Sequence, residues 1–228
     1  MKALRAIALV GFLVAVPLFL VMSNLRLMVL SPTTYESGFA RYGAARATGM
    51  SQEELTEARR QLIAYFQDGE AITLHIRKEW GTELLFNERE LAHLADVRSL
   101  FQLAFRAQEA SGAYMLAFAV VMLFRHRQSA LVRLARYLLA AGLLTLAIFA
   151  VLAVIAAVDF DNLFLRFHLV SFTNDLWQLD PRTDYMIRMF PQGFWFEAAM
   201  RLATWSMAEG IALVGLTWGY LRWNVGRA

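Results

Sequence analysis

The stretch YLLAAGLLTLAIFAVLAVIAAV, Tyr137 to Val158, holds no charged side chain in 22 positions. An α-helix rises 1.5 Å per residue, and bilayer hydrocarbon is about 30 Å thick, so roughly 20 consecutive apolar residues cross it. This block therefore reads as a transmembrane helix at 137–158. Upstream, Ala6 to Leu25 is a second such run, with Pro17 positioned to kink it, and with its flanks it gives a helix at 1–31. Downstream, Met200 to Leu221 is long enough but carries Arg201 and Glu209, and places a span at 199–222. The apolar block Gly112 to Phe124 has only 13 residues. It becomes a span at 102–124 when the helix starts near Gln102, with Arg106 and Glu109 at the interface or turned inward.

Composition points the same way. The chain is 58% hydrophobic and 18% charged, with a mean hydropathy of +0.44, against about 45–50% and about 25% for a soluble domain. It has no cysteine, which excludes disulfides, thiolate nucleophiles and thiolate metal sites. The net charge of +3 is unevenly spread. The N-terminus (Lys2, Arg5), the 125–136 connection (Arg125, Arg127, Arg133, Arg136) and the 223–228 tail with its border (Arg222, Arg227) carry eight basic residues and no acidic one. The stretches 27–111 and 159–198 hold 18 of the 19 acidic residues. Basic flanks stay in the cytoplasm, so both termini face inward and the two acidic loops face outward. A cleaved signal peptide is the rival for the first run, but Val21 to Leu25 offers no small-x-small cleavage site. The expected fold is mainly α: a four-transmembrane-helix bundle, a small extracytoplasmic α+β cap at 32–101 and an interfacial helix within 159–198.

In the first outer loop, Pro32 to Gly49 reads as irregular chain. Ser51 and Glu54 form a capping box, followed by Leu55, Ala58, Leu62, Ile63 and Phe66 on one helical face, and Asp68-Gly69 ends the helix. Ala71 to Arg77, a turn at Glu79 to Thr82, and Glu83 to Phe86 read as a hairpin. Asn87 and Glu90 make a second capping box, whose helix can run directly into the second span. His93 lies on it, with Arg89, Glu90, Asp96 and Val97 as neighbours three or four positions away. On pattern alone His93 reads first as a surface histidine in a charged helix. The functional reading gives it a carboxylate that sets its tautomer and raises its basicity. His75, in the expected strand, reads as structural.

The second outer loop is dense in aromatics. Phe160, Phe164, Phe167 and Phe172 recur at near-helical spacing, as in an interfacial helix, with His168 among them. Asn174, Asp175, Trp177, the turn pair Asp180-Pro181, Asp184, Arg188 and Phe194 to Phe196 follow. This is either an aromatic belt with a bystander histidine or a lipid-facing cleft in which a few polar groups act on a head group. A carboxylate as deep as Glu209 is costly in a span and is protonated, paired, or lines a polar cavity. Arg201 pairs with Glu197 one turn earlier, snorkels, or contacts a lipid head group. No Gly-x-Ser-x-Gly elbow, phosphate loop or His-Glu-x-x-His motif is present, and no basic stripe suits nucleic acid.

Two blocks carry a resemblance. Phe86-Asn87-Glu88-Arg89-Glu90 with His93-Leu94-Ala95-Asp96-Val97 is the first. The second is Phe167-His168 with Asn174, Trp177, Asp180-Pro181 and Asp184, followed by Met189-Phe190-Pro191. Together with Tyr35, Gly38-Phe39 and Gly49-Met50-Ser51, they resemble the bacterial lipoprotein intramolecular transacylase family over nearly the whole chain. Membership implies a bacterial membrane enzyme acting on a diacylated lipoprotein N-terminus within membrane lipid. It moves the sn-2 acyl chain of the diacylglyceryl-cysteine to the same cysteine's α-amine, leaving a lyso-form lipoprotein. It also implies that two histidines, matching His93 and His168, are central. Deprotonating an amine suits a near-neutral imidazole, and the developing oxyanion needs a donor. The expectation is His93 as base, oriented by Asp96 or Glu90, and His168 as oxyanion or leaving-group donor, assisted by Asn174, with the two roles exchangeable. Trp177, Asp180, Asp184 and Arg201 are expected to bind or orient the substrate. Both reacting groups belong to one molecule, so no cofactor or metal is required. The alternatives are a metal-dependent lipid hydrolase and a non-enzymatic outer-face factor that binds lipid or protein.

Overall fold

The computed structural model describes residues 2–78 and 81–225. Glu79 and Trp80, assigned from sequence to the hairpin turn, lie outside them, as do residues 226–228 of the expected tail. The helices are α1 Lys2–Leu30, α2 Pro32–Arg41, α3 Ala44–Thr48, α4 Gln52–Asp68, α5 Glu88–His126, α6 Ala130–Val158, α7 Phe160–Ser171, α8 Tyr185–Met189 and α9 Gln192–Val225. Strands β1 His75–Lys78 and β2 Gly81–Leu84 pair antiparallel, with His75 opposite Leu84 and Arg77 opposite Thr82. The chain divides into two units.

The first unit comprises residues 1–25, 104–158 and 200–228. Its centre is Phe12, Val16 and Ala141, surrounded by Leu20, Met115, Phe118, Tyr137 and Leu213. α6 and α9 meet closely through glycine: a Cβ on Gly142 would sit 2.9 Å from Val214 Cγ2 and 3.4 Å from the Gly210 carbonyl oxygen. Small residues of this kind let apolar helices approach until their backbones touch. Asn24, almost fully buried, donates from Nδ2 to Glu209 Oε2 at 2.9 Å and to Ser206 Oγ at 3.3 Å, so the deep carboxylate of α9 is paired within the bundle. Among the described residues α1, α5 and α6 are long and apolar enough to cross a membrane. α9 has 34 residues but mixes Thr, Gly and Glu209 into its apolar run. It also begins at Gln192 rather than near Met200, directly after Pro191.

The second unit comprises residues 26–103 and 159–199. The irregular chain expected at Pro32 to Gly49 is instead two short helices. Pro32 sits at the first helical position of α2, where its missing N–H costs nothing. Gly43 and Gly49, at φ +63° and +76°, take the left-handed conformation that bounds α3. The Ser51–Glu54 capping box forms, and Leu55, Ala58, Leu62 and Phe66 are buried while Ile63 is half-buried. Arg98 and Gln102 donate to the carbonyl oxygens of Tyr65 and Phe66, satisfying the orphan acceptors at the end of α4. β1 begins at His75 rather than Ala71, and Gly81 and Thr82, both read from sequence as turn, belong to β2. Tyr35, Phe39, Phe190 and Phe194 form an aromatic cluster with ring centroids 5.1 to 6.3 Å apart. A Cβ on Gly38 would lie 2.4 Å from Phe194 Cε2, so only glycine leaves room for that ring.

Candidate active site

α5 runs unbroken for 39 residues, and its first turns carry His93. The Asn87–Glu90 capping box is made in both directions: Glu90 N–H donates to Asn87 Oδ1 at 3.0 Å, and Asn87 N–H donates to Glu90 Oε2 at 2.9 Å. α7 begins on an Asp159 side-chain cap and carries His168. The face of α7 holding Leu165, Phe167, Leu169 and Val170 is exposed, while His168 turns inward, as a mixed apolar helix does when one side packs on protein.

The two imidazoles converge. Their centroids are 6.3 Å apart with the rings tilted by 32°, and both are buried, at 6% and 7% exposure. Phe172 packs edge-on against His93 at 5.1 Å and Trp177 lies over His168 at 4.9 Å. His168 Nδ1 lies 2.7 Å from the carbonyl oxygen of Phe164. A carbonyl only accepts, so Nδ1 carries the proton, and in the neutral ring Nε2 holds the free lone pair. His93 Nδ1 is buried and has no hydrogen-bond partner among the described residues. Burial, reinforced by His168, pushes His93 down to about 4 against the opposing pull of Asp96. Burial also holds His168 below the usual histidine range, against the Phe164 hydrogen bond. Both rings are therefore neutral near pH 7.

Of the carboxylates expected to raise the basicity of His93, Asp96 does pull its pKa upward, and both accept hydrogen bonds from other residues. Glu90, fully buried, accepts from the backbone N–H groups of Asn87 and Met186, and burial raises its pKa. Asp96 Oδ2 accepts from Asn174 Nδ2 at 2.9 Å. Asn174 thereby ties the segment after α7 to α5, and Arg89 adds a bond to the Asp175 carbonyl oxygen at 2.6 Å. Asp184 accepts from Asn87 Nδ2 at 2.9 Å and from the Asp180 N–H at 2.7 Å. Asp180 is held well below the usual carboxylate range by its exposed partner Arg182. Arg201 is half-buried on α9 and belongs to the first unit. The Phe164 carbonyl and the Arg89 contact escaped the sequence reading. The first was findable, lying four residues before His168 on a helix; the second had no local signal. Among the described residues no three His, Asp or Glu side chains gather as a metal donor set.

A pair of buried neutral imidazoles walled by aromatics suits proton transfer in a water-poor setting. Comparisons with known proteins narrow this further. Residues 10–195 match the family model described as lipoprotein intramolecular transacylase Lit. The solved structure of the membrane integral lipoprotein intramolecular transacylase Lit from Bacillus cereus is similar at TM-score 0.82 and 18% identity, with 100% of each chain covered. A variant of that protein with a histidine replaced by arginine matches at TM-score 0.78 and 17% identity, covering 100% of this chain and 96% of that one. A histidine-to-alanine variant matches at 0.77 and 18%, covering 100% and 97%. No curated protein sequence matches significantly. At such identities the structural likeness speaks to the fold; the family match speaks to kinship.

Proposed function

The chain belongs to the lipoprotein intramolecular transacylase Lit family, and on that premise we propose that it moves the sn-2 acyl chain of a diacylglyceryl-cysteine to the α-amine of the same residue. It is an integral membrane enzyme of the acyltransferase class. The product is a lyso-form lipoprotein with an N-acyl amide and a free glyceryl hydroxyl. α1, the 102–124 part of α5, α6 and α9 serve as four spans in the bacterial cytoplasmic membrane, with both termini inside. The charge asymmetry of the loops supports this orientation and, with it, an outer-face site for the two histidines.

The observation that carries the mechanism is the 2.7 Å contact between His168 Nδ1 and the Phe164 carbonyl. It leaves Nε2 of His168 as the base, exchanging the roles first assigned from sequence. Nε2 takes a proton from the α-amine as its nitrogen bonds to the ester carbonyl carbon. The unpartnered N–H of His93, taken at Nδ1, meets the oxygen as it becomes negative. The bond from carbon to the glyceryl oxygen then breaks, and that alkoxide takes the proton back from Nε2. Ester and amine become alcohol and amide, with no proton gained or lost. Because amine and ester arrive on one molecule, much of the acceleration comes from holding them together. Trp177 and Phe172 wall off water, while Asp96, Asn174 and Arg89 hold the segment that carries those rings.

The test is mass spectrometry of a lipoprotein made in cells with and without the protein. An N-acyl, S-monoacylglyceryl cysteine appearing only with the wild type supports the reading. An unchanged diacylglyceryl form beside abundant, folded enzyme refutes it. His93→Gln and His168→Gln should each abolish conversion while leaving the protein in the membrane.

A further inference from the structure

We propose that Glu90 is a positioning residue for acyl transfer, acting through the starts of two helices and not through an imidazole. This inference rests on the reading that His93 is essential. Glu90 is completely buried. Its Oε2 accepts from the Asn87 N–H at 2.9 Å, closing the first turn of α5, and His93 stands one turn further along. Its Oε1 accepts from the Met186 N–H at 2.7 Å, in the first turn of α8. One carboxylate therefore joins two helix N-termini, where unsatisfied N–H groups gather.

The same cluster anchors the segment that walls the imidazoles. Asn87 Nδ2 donates to Asp184 Oδ1, and Asp184 Oδ2 accepts from the Asp180 N–H. The stretch from Phe172 to Asp184 carries the ring beside His93 and the ring over His168. It is held near its start by Arg89 and Asn174 and at its end by this cluster. Glu90 thus sets both the turn leading to His93 and the far anchor of the wall opposite.

The chemistry requires a carboxylate. A capping box on α5 alone would accept Gln in place of Glu. Here both oxygens receive N–H donors, and a Gln amide has one acceptor. Its NH₂ group would face a backbone N–H, leaving two donors opposed in a buried site, a costly arrangement.

The test uses purified full-length Glu90→Gln, Glu90→Asp and His93→Gln with a synthetic diacylglyceryl-cysteinyl lipopeptide in detergent micelles. Glu90→Asp keeps two acceptor oxygens on a stem one methylene shorter, which cannot reach the Asn87 and Met186 N–H groups together. For folded Glu90→Gln, kcat should fall at least about tenfold, since small misplacements of reacting groups cost that much or more. KM should stay within about twofold. The midpoint of the pH profile should not move, because the charge of Glu90 is not coupled to the base. Wild-type kcat in folded Glu90→Gln overturns the proposal, and so does a displaced pH midpoint, which would make Glu90 a direct electrostatic partner. If Glu90→Gln does not fold, Glu90→Asp decides: a lowered kcat with an unmoved pH midpoint supports the proposal and a wild-type kcat overturns it. An inactive His93→Gln beside a fully active Glu90→Gln defeats this inference alone. A fully active His93→Gln defeats the catalytic reading beneath it.

Discussion

The depressed basicity of both histidines has a measurable consequence for how the rate depends on pH. The plot of kcat/KM reports ionisations of free enzyme and free substrate. The substrate amine has a pKa of about 7.7–8.0, so its reactive free-base fraction falls about 70-fold between pH 7.5 and 5.5. A catalytic base titrating at the ordinary histidine value of about 6.5 would add about another tenfold loss over that interval, for roughly 700-fold in all. His168 is held below that value by burial, so its protonation begins later and the added loss must be smaller. His93, pushed to about 4, stays neutral throughout. The assay is initial-rate formation of the N-acyl lipopeptide by purified enzyme in detergent, with the amine pKa measured by NMR in the same micelles. The expected profile falls with a slope of one below the amine pKa and bends again only below pH 6.5. A slope of two that sets in at or above pH 6.5 would refute the claim that burial governs the base.

Three further outcomes follow from particular contacts. His93 has a folded-state pKa of about 4 against about 6.5 unfolded, so the unfolded chain binds the extra proton between those values. Thermal stability in detergent should therefore be full above pH 6.5 and decline as pH falls toward 4, and His93→Gln should flatten that decline. Asp96→Ala removes the acceptor for Asn174, a contact worth about 0.5–1.5 kcal/mol. Turnover should fall about two- to tenfold and not vanish, and a dead enzyme would give Asp96 a direct chemical role. Asn24→Leu leaves Glu209 and Ser206 without their shared donor. It should lower thermal stability by about 1–3 kcal/mol, measured by a detergent melting curve, with Asn24→Gln losing less.

Legibility followed the range over which each signal acts. The Ser51–Glu54 box and the buried face of α4 were readable because their partners lie three or four residues apart. The membrane helices were readable because length and apolarity are local sums. α2 and α3 were missed: a Gly-, Tyr- and Arg-rich stretch has little periodicity, although Pro32 at a helix start and the glycines at 43 and 49 were cues. In the site, spacing placed Glu90 and Asp96 near His93 in sequence, but their partners Met186 and Asn174 lie 96 and 78 residues away. No periodicity could show that, so the long-range bonds these carboxylates accept were not legible beside their nearness to the imidazole. The meeting of His93 and His168 was likewise beyond local pattern and came only from the family resemblance.

In many proton-relay sites the group that steers an imidazole is itself a side chain, which one codon change can delete. For His168 that office is held by a peptide oxygen of its own helix. Any residue at 164 supplies the same atom, so substitution there can reshape the wall but cannot strip the tautomer. Even one residue inserted between 164 and 168 would leave a carbonyl four positions before the histidine and keep the tautomer, but it would turn the ring about 100° around α7 and away from His93. The tautomer is therefore robust to point mutation and to length alike, and what the count of residues along α7 fixes is the direction in which the base points.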